Sequence, residues 1–200
     1  MGLILKSGGV VMIPLMLCSL LAVTIVVERW LFFRRITPTH QADALIRLVK
    51  EGRVTEALDM TEQAEFPAVK VLGAGMKQSR AGAMDRAMEA AGRAEIALMK
   101  RGLPVLETII TIAPLLGLLG TILGIMHSFR IMALASGEVQ AGAVSGGVAE
   151  ALVSTVVGII VAVATLVPYN YFWARIEQET GKIEQYATAL ELNLEPAPRE

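Results

Sequence analysis

Three long apolar runs alternate with stretches in which apolar and polar positions recur at helical spacing. Ser7 to Val27 contains no charged residue, and neither does Thr108 to Phe129. Val139 to Ala174 contains one, Glu150. A helix rises about 1.5 Å per residue, so roughly 20 apolar residues cross the roughly 30 Å hydrocarbon core of a bilayer. Each run is long enough, and the pattern predicts three transmembrane helices. Pro14 falls in the first turns of span one, where a missing N–H is tolerated, and Pro168 lies near the end of span three. Pro114 lies inside span two and should bend it.

Between spans one and two the period is that of amphipathic helices. Thr39 to Lys50 places Ala42, Leu45, Ile46, Leu48 and Val49 near one stripe, and Gly52 ends it. Val54 to Ala64 repeats the pattern until Pro67 breaks it. A helix is expected over Ala68 to Ser79, with Ala81-Gly82 as an interruption. Ala83 to Arg101 follows as a long Ala/Met/Arg/Glu helix that can continue into span two. With few large apolar residues of its own, this segment is expected to pack on helices extended from the membrane. After span three, Arg175 to Leu194 reads as an amphipathic helix carrying Ile176, Ile183, Tyr186 and Leu190, ended by Glu195-Pro196-Ala197-Pro198.

Composition agrees with a membrane protein. Hydrophobic residues make up 54% of the 200, charged residues 18%, and most charges fall between Glu28 and Arg101. A typical soluble domain holds about 25% charged residues. The net charge of -1 provides no field to recruit nucleic acid. The one cysteine, Cys18, excludes an intrachain disulfide and any CxxC metal or redox pattern. A signal peptide is the competing reading of the first run, but the run is long for that role and no small-residue cleavage site follows it. Its exit, Glu28-Arg29-Trp30-Leu31-Phe32-Phe33-Arg34-Arg35, has the basic and aromatic character of a cytoplasmic flank. Lys100, Arg101, Arg175 and Lys182 fall on the same side, while Ala133 to Ser145 has no Lys or Arg. The expected class is an all-α membrane protein of three transmembrane helices with long cytoplasmic helical extensions. Its expected segments are 1–36 (periplasmic N-terminus and span one), 37–102 (cytoplasmic helices) and 103–132 (span two). There follow 133–145 (periplasmic loop), 146–174 (span three) and 175–200 (cytoplasmic C-terminal helix and tail).

Enzyme motifs are missing from the sequence: it has no GxGxxG after a strand, no GxxxxGK[ST], no GxSxG and no HExxH. No cofactor is implied, and His40 and His127 fall in different compartments, so no metal site is expected. The chemistry that remains lies in span three. A carboxylate in lipid costs on the order of 3 kcal/mol or more, so Glu150 should face a bundle interior, a partner or a water path. Desolvation favours its neutral form, which would let it carry a proton. The alternative is that Glu150 sits at a helix end among headgroups. Glu107, six residues after Arg101, reads as interfacial. Gly147, Ala151, Thr155, Gly158 and Ala162 follow one face, with Ser154 adjoining it. Span two carries Gly117, Gly120, Thr121 and Gly124. Small residues let membrane helices approach closely, so helix packing explains the glycines. Thr121 and Thr155 can bond a backbone carbonyl or line a polar path with Glu150.

The chain resembles the ExbB/TolQ/MotA proton-channel family, ExbB and TolQ above all. The residues that carry the resemblance are Ile112-Ala113-Pro114-Leu115-Leu116-Gly117-Leu118-Leu119-Gly120-Thr121 and Gly124-Ile125-Met126-His127-Ser128-Phe129. A second block is Gly147-Val148-Ala149-Glu150-Ala151-Leu152-Val153-Ser154-Thr155, followed by Gly158 and Pro168-Tyr169-Asn170-Tyr171-Phe172. The Gly8-Gly9 opening and the Glu28-Arg29 exit also fit. The resemblance implies a proton pathway through Glu150, Thr121 and Thr155, with Gly117, Gly120, Gly124, Ala151, Ser154 and Gly158 packing the helices or lining the pore. It implies a homo-oligomeric ring, a pentamer, in the bacterial inner membrane, with the N-terminus periplasmic and the C-terminus cytoplasmic. The ring would enclose a dimer of a single-span ExbD- or TolR-like partner and use the proton motive force to do mechanical work on a periplasm-spanning, TonB- or TolA-like protein. TonB-dependent outer-membrane import is the expected system. A TolQ-like envelope-constriction motor, a gliding motor and a passive scaffold are the alternatives. Three spans without an internal repeat disfavour a secondary transporter.

Overall fold

The computed structural model describes residues 9–35, 40–62, 64, 66–78, 81–134 and 141–194; the side chains at 81, 82, 134, 141–146 and 150 lie outside this description. The described residues form helices throughout: α1 (Met12–Arg35), α2 (His40–Lys50), α3 (Val54–Glu62), α4 (Pro67–Met76), α5 (Ala81–Lys100), α6 (Leu103–Leu134) and α7 (Ala141–Leu194). Three helices are long and apolar enough to cross a membrane, and their most apolar windows have mean hydropathies of 1.9, 2.3 and 2.4. The chain divides into two compact units, residues up to Glu28 with Gly102–Tyr171, and Arg29–Arg101 with Phe172 onward.

In the first unit α1, α6 and α7 each bury one stripe. On α1 it is Met12, Leu15, Cys18 and Ala22, at spacings of three and four, with Val11 just before the helix also buried. Val11, Met12 and Leu15 cluster with Ala113 of α6 and Ala162 of α7, and Cys18 and Ala22 with Leu106 and Ile109 of α6. The opposite faces stay apolar and exposed, as Leu115, Leu118, Leu119, Ile122, Leu123 and Met126 do on α6. An apolar surface this continuous is stable against lipid and not against water. Helices that are apolar all round and buried on one stripe alone are therefore membrane helices.

Two sequence expectations are corrected here. α5 begins at Ala81 and runs through Gly82, so Ala81-Gly82 does not interrupt it. Nor does α5 continue into span two. It stops at Lys100, and Gly102 takes a φ of +82° before α6 starts at Leu103. A left-handed residue suits glycine because it has no Cβ to clash. A Cβ at Gly102 would also lie 2.9 Å from Ile25 Cγ2. Gly102 O then accepts the Val105 and Leu106 N–H groups, both at 3.2 Å, opening the new helix. Pro114 and Pro168 both lie inside their helices.

In the second unit α2 ends in a glycine cap. Gly52 has φ +75° and the Arg53 N–H reaches back to Leu48 O at 2.9 Å. Pro67 opens α4, where its absent N–H costs nothing. Gly73 seats against Thr61 of α3, and Gly75 against Met84 and Met88 of α5. The far end of α7 buries Phe172, Ile176, Ile183 and Leu190. Phe172 stacks on Phe33 of α1 with ring centroids 5.6 Å apart, and Lys100 lies over the Trp173 ring. The helices between spans one and two thus share a core with the last turns of α1 and the C-terminal part of α7. Each fully buried Leu, Ile or Phe contributes roughly 1.5–3 kcal/mol.

Candidate functional site

The site is built where α6 and α7 touch in the first unit. Glycines set the approach. A Cβ at Gly117 would fall 2.8 Å from Ser154 O and 2.9 Å from Thr155 Cα, and one at Gly158 would fall 2.5 Å from Ala113 O. Those neighbours are backbone and cannot give way. Gly124 seats the Ala151 methyl, Gly120 seats the Ser154 side chain, and Gly147 lies against Ser128. Ala113, Gly117, Gly120, Gly124 and Ser128 on α6 therefore interlock with Gly158, Ser154, Ala151 and Gly147 on α7. The helix axes come close because neither side offers a bulky group.

Hydroxyls cross this seam. Thr121 Oγ1 and Thr155 Oγ1 stand 2.8 Å apart, and either can donate. Thr155 also donates to Gly117 O at 3.0 Å, and Ser154 donates to the same carbonyl at 3.1 Å or to Ala151 O at 2.7 Å. Thr121 reaches Leu118 O at 2.9 Å and Gly117 O at 3.2 Å. Ser154 is completely buried, Thr121 is 9% exposed, and Thr155 is half-buried at the edge of the seam. Further along, Ser128 donates to Gly124 O and Thr165 to Val161 O, both buried. Beside Gly124 and Ala151 a cavity of about 360 Å³ opens, walled also by Gly9, Val10, Gly147 and His127.

The structure thus joins two of the three expected pathway residues. Thr121 and Thr155, 34 positions apart in sequence, share a hydrogen bond. Glu150 stands on α7 immediately before Ala151, and its side chain lies outside the described residues. Gly117, Gly120, Gly124, Ala151, Ser154 and Gly158 all make the helix contact. The expected α7 stripe is corrected by one position. Its centre is Gly147, Ala151, Ser154, Gly158, Ala162 and Thr165, and Thr155 flanks it. The heptad spacing of 147 to 154 and 151 to 158 was the available signal. Glu107 is exposed near the start of α6, within reach of the Tyr169 hydroxyl of α7.

The sequence places Arg29 in a basic flank and in the Glu28-Arg29 exit. In the second unit it is 2% exposed, lies 4.5 Å from the Phe32 ring centre, and donates to Leu98 O at 2.9 Å and Met99 O at 3.5 Å. Those carbonyls belong to the last turn of α5, where the regular ladder runs out: Leu98 O also takes the Arg101 N–H at 3.3 Å, and a cation complements the helix dipole. Nothing in the local sequence names that acceptor, which is 69 residues away.

Three bilayer-length apolar helices, two of them joined by hydroxyls over a glycine seam, define an integral membrane protein. The chain belongs to the MotA/TolQ/ExbB proton channel family, whose model matches residues 57–185 and so spans the whole seam. A Synechocystis protein named ExbB-like 3 is 38% identical over 195 residues, covering 89% of this chain and 90% of that one. TolQ of the Tol-Pal system of Pseudomonas aeruginosa is 37% identical over 102 residues, 51% of this chain and 44% of the relative. ExbB of Xanthomonas campestris is 37% identical over 115 residues, 58% and 45% respectively.

Proposed function

We propose that this chain is the proton-conducting subunit of an inner-membrane motor, with Glu150, Thr121 and Thr155 on the proton path. The observation that carries the reading is the Thr121–Thr155 hydrogen bond, a polar link held between two apolar helices. A hydroxyl pair can accept a proton on one oxygen as it releases one from the other, so it conducts without becoming charged at rest. Glu150 supplies the titrating group on the same helix. The adjoining cavity leaves room for water.

In this reading the subunits form a pentameric ring around a dimer of a single-span ExbD- or TolR-like partner. The N-terminus is periplasmic, and residues 37–102 and 175–200 lie in the cytoplasm. Proton entry does mechanical work on a periplasm-spanning protein. One elementary charge crossing 100 mV releases about 2.3 kcal/mol, enough to drive a modest conformational step when several subunits act in turn. TonB-dependent import is favoured by the near full-length match to an ExbB-like relative, whereas the TolQ relative is matched over 44% of its length. That TolQ match keeps envelope constriction as the second reading. In cells, Glu150→Gln and Glu150→Ala should abolish energy-dependent work while the complex still co-purifies with its partner. Normal work in either variant would refute the proposal.

A further inference from the structure

The seam holds more hydroxyl donors than the Gly117 carbonyl can use. That oxygen has two lone pairs. In the regular ladder of α6 the Thr121 N–H occupies one of them. Three hydroxyls compete for the other: Thr155 at 3.0 Å, Ser154 at 3.1 Å and Thr121 at 3.2 Å. Each has a second acceptor already within reach. Ser154 has Ala151 O at 2.7 Å, Thr121 has Leu118 O at 2.9 Å, and Thr155 has Thr121 Oγ1 at 2.8 Å.

We infer that Ser154 is a positioning residue that sets the direction of the Thr121–Thr155 hydrogen bond. The inference rests on the proposed proton path and deepens it. When Ser154 donates to Ala151 O, the Gly117 carbonyl is open to Thr155, and Thr155 accepts from Thr121. When Ser154 donates to Gly117 O, Thr155 is displaced and donates to Thr121, which donates to Leu118 O. Every oxygen keeps its place in both arrangements, and the hydroxyl hydrogens turn about their C–O bonds.

Such a turn is what a hydroxyl pair needs to act repeatedly. A proton arriving from water on Thr155 Oγ1 releases that oxygen's own hydrogen to Thr121 Oγ1, and the Thr121 hydrogen turns away from Leu118 O and leaves to water on the other side. Each oxygen gains one O–H bond and loses one, and the pair ends neutral with its hydrogen bonds reversed. It must turn back before it passes the next proton in the same direction. The exchange of Ser154 between two acceptors provides that reset. The site is also sized for serine, since a Cβ on Gly120 would overlap the Ser154 hydroxyl, which is fully buried.

The test is proton flux through the assembled complex in proteoliposomes, measured in H2O and in D2O. Ser154→Ala should lower the flux about fivefold, the factor that one ordinary hydrogen bond is worth. It should also shift the H2O/D2O ratio toward the small value of a hydroxyl turn, which breaks no O–H bond, because the turn then limits the rate. Ser154→Cys keeps a donor, though a weaker and somewhat larger S–H, and it should fall between wild type and Ala. A flux and isotope ratio equal to wild type in Ser154→Ala would overturn the inference. If that variant fails to assemble, equality in Ser154→Cys overturns it. Glu150→Gln is measured alongside: wild-type flux there would sink the proton-path reading itself, a failure distinct from that of Ser154.

Discussion

The residues of the seam differ in what they would lose. Thr121 and Thr155 each join the other helix through an oxygen, so replacement by Val keeps the shape and removes the bond. Each single Val variant should lose part of the proton flux, whereas Thr→Ser, which keeps the hydroxyl, should stay near wild type. Wild-type flux in the double Val variant would remove both residues from the path. Arg29 has a structural task. Arg29→Met keeps an apolar stem but removes the charged donor from the Leu98 and Met99 carbonyls, leaving Leu98 O the Arg101 N–H alone, at a cost of about 1–3 kcal/mol. Thermal unfolding of the detergent-solubilised protein should show a lowered Tm, and an unchanged Tm would contradict the capping role. Tyr186 gives a pH signature. Burial, then its hydrogen bond to Asp43 at 2.6 Å and the charge on that carboxylate, push the phenol up to about 12. The folded chain therefore favours the protonated phenol. That contribution is whole below about pH 10, the ordinary value for tyrosine, and is lost as pH rises through about 12. An absorbance titration should show a late-ionising component that is lost in Tyr186→Phe.

At the scale of the elements, the contrast between two glycines of α7 and α6 tests the seam. Gly117→Ala drives a Cβ into the Ser154 and Thr155 backbone, and overpacking of this kind costs about 1–3 kcal/mol. Gly181→Ala meets nothing within 4 Å and, being exposed in a helix interior, should stabilise by roughly 0.5–1 kcal/mol. Unfolding midpoints that moved in the same direction for both would contradict the packing account. The three long helices were legible from hydrophobicity, because lipid requires runs of bilayer length and few other constraints produce them. The α5–α6 break was harder to foresee. Gly102 follows Arg101 in a stretch where a continuous helix satisfies the same period, and the left-handed turn is fixed by packing against Ile25. The one-position shift of the α7 stripe has a similar origin. Glycine, alanine, serine and threonine are all small enough for the seam, so residue type alone does not say which of Ser154 and Thr155 is innermost.

At the scale of the whole molecule, the family membership and the hydroxyl bridge support the same proposed activity, in which Glu150 of α7 is the group expected to titrate. The long-range pairing of Thr121 with Thr155 could not be read from spacing, since the register between two antiparallel helices is set by which glycines meet. The most direct measurement is proton conduction by this chain, reconstituted in vesicles with the proposed single-span partner under an imposed pH gradient and membrane potential. The account predicts that the wild-type complex acidifies the receiving compartment and that Glu150→Gln, equally assembled, does not. Equal conduction by the two would contradict it.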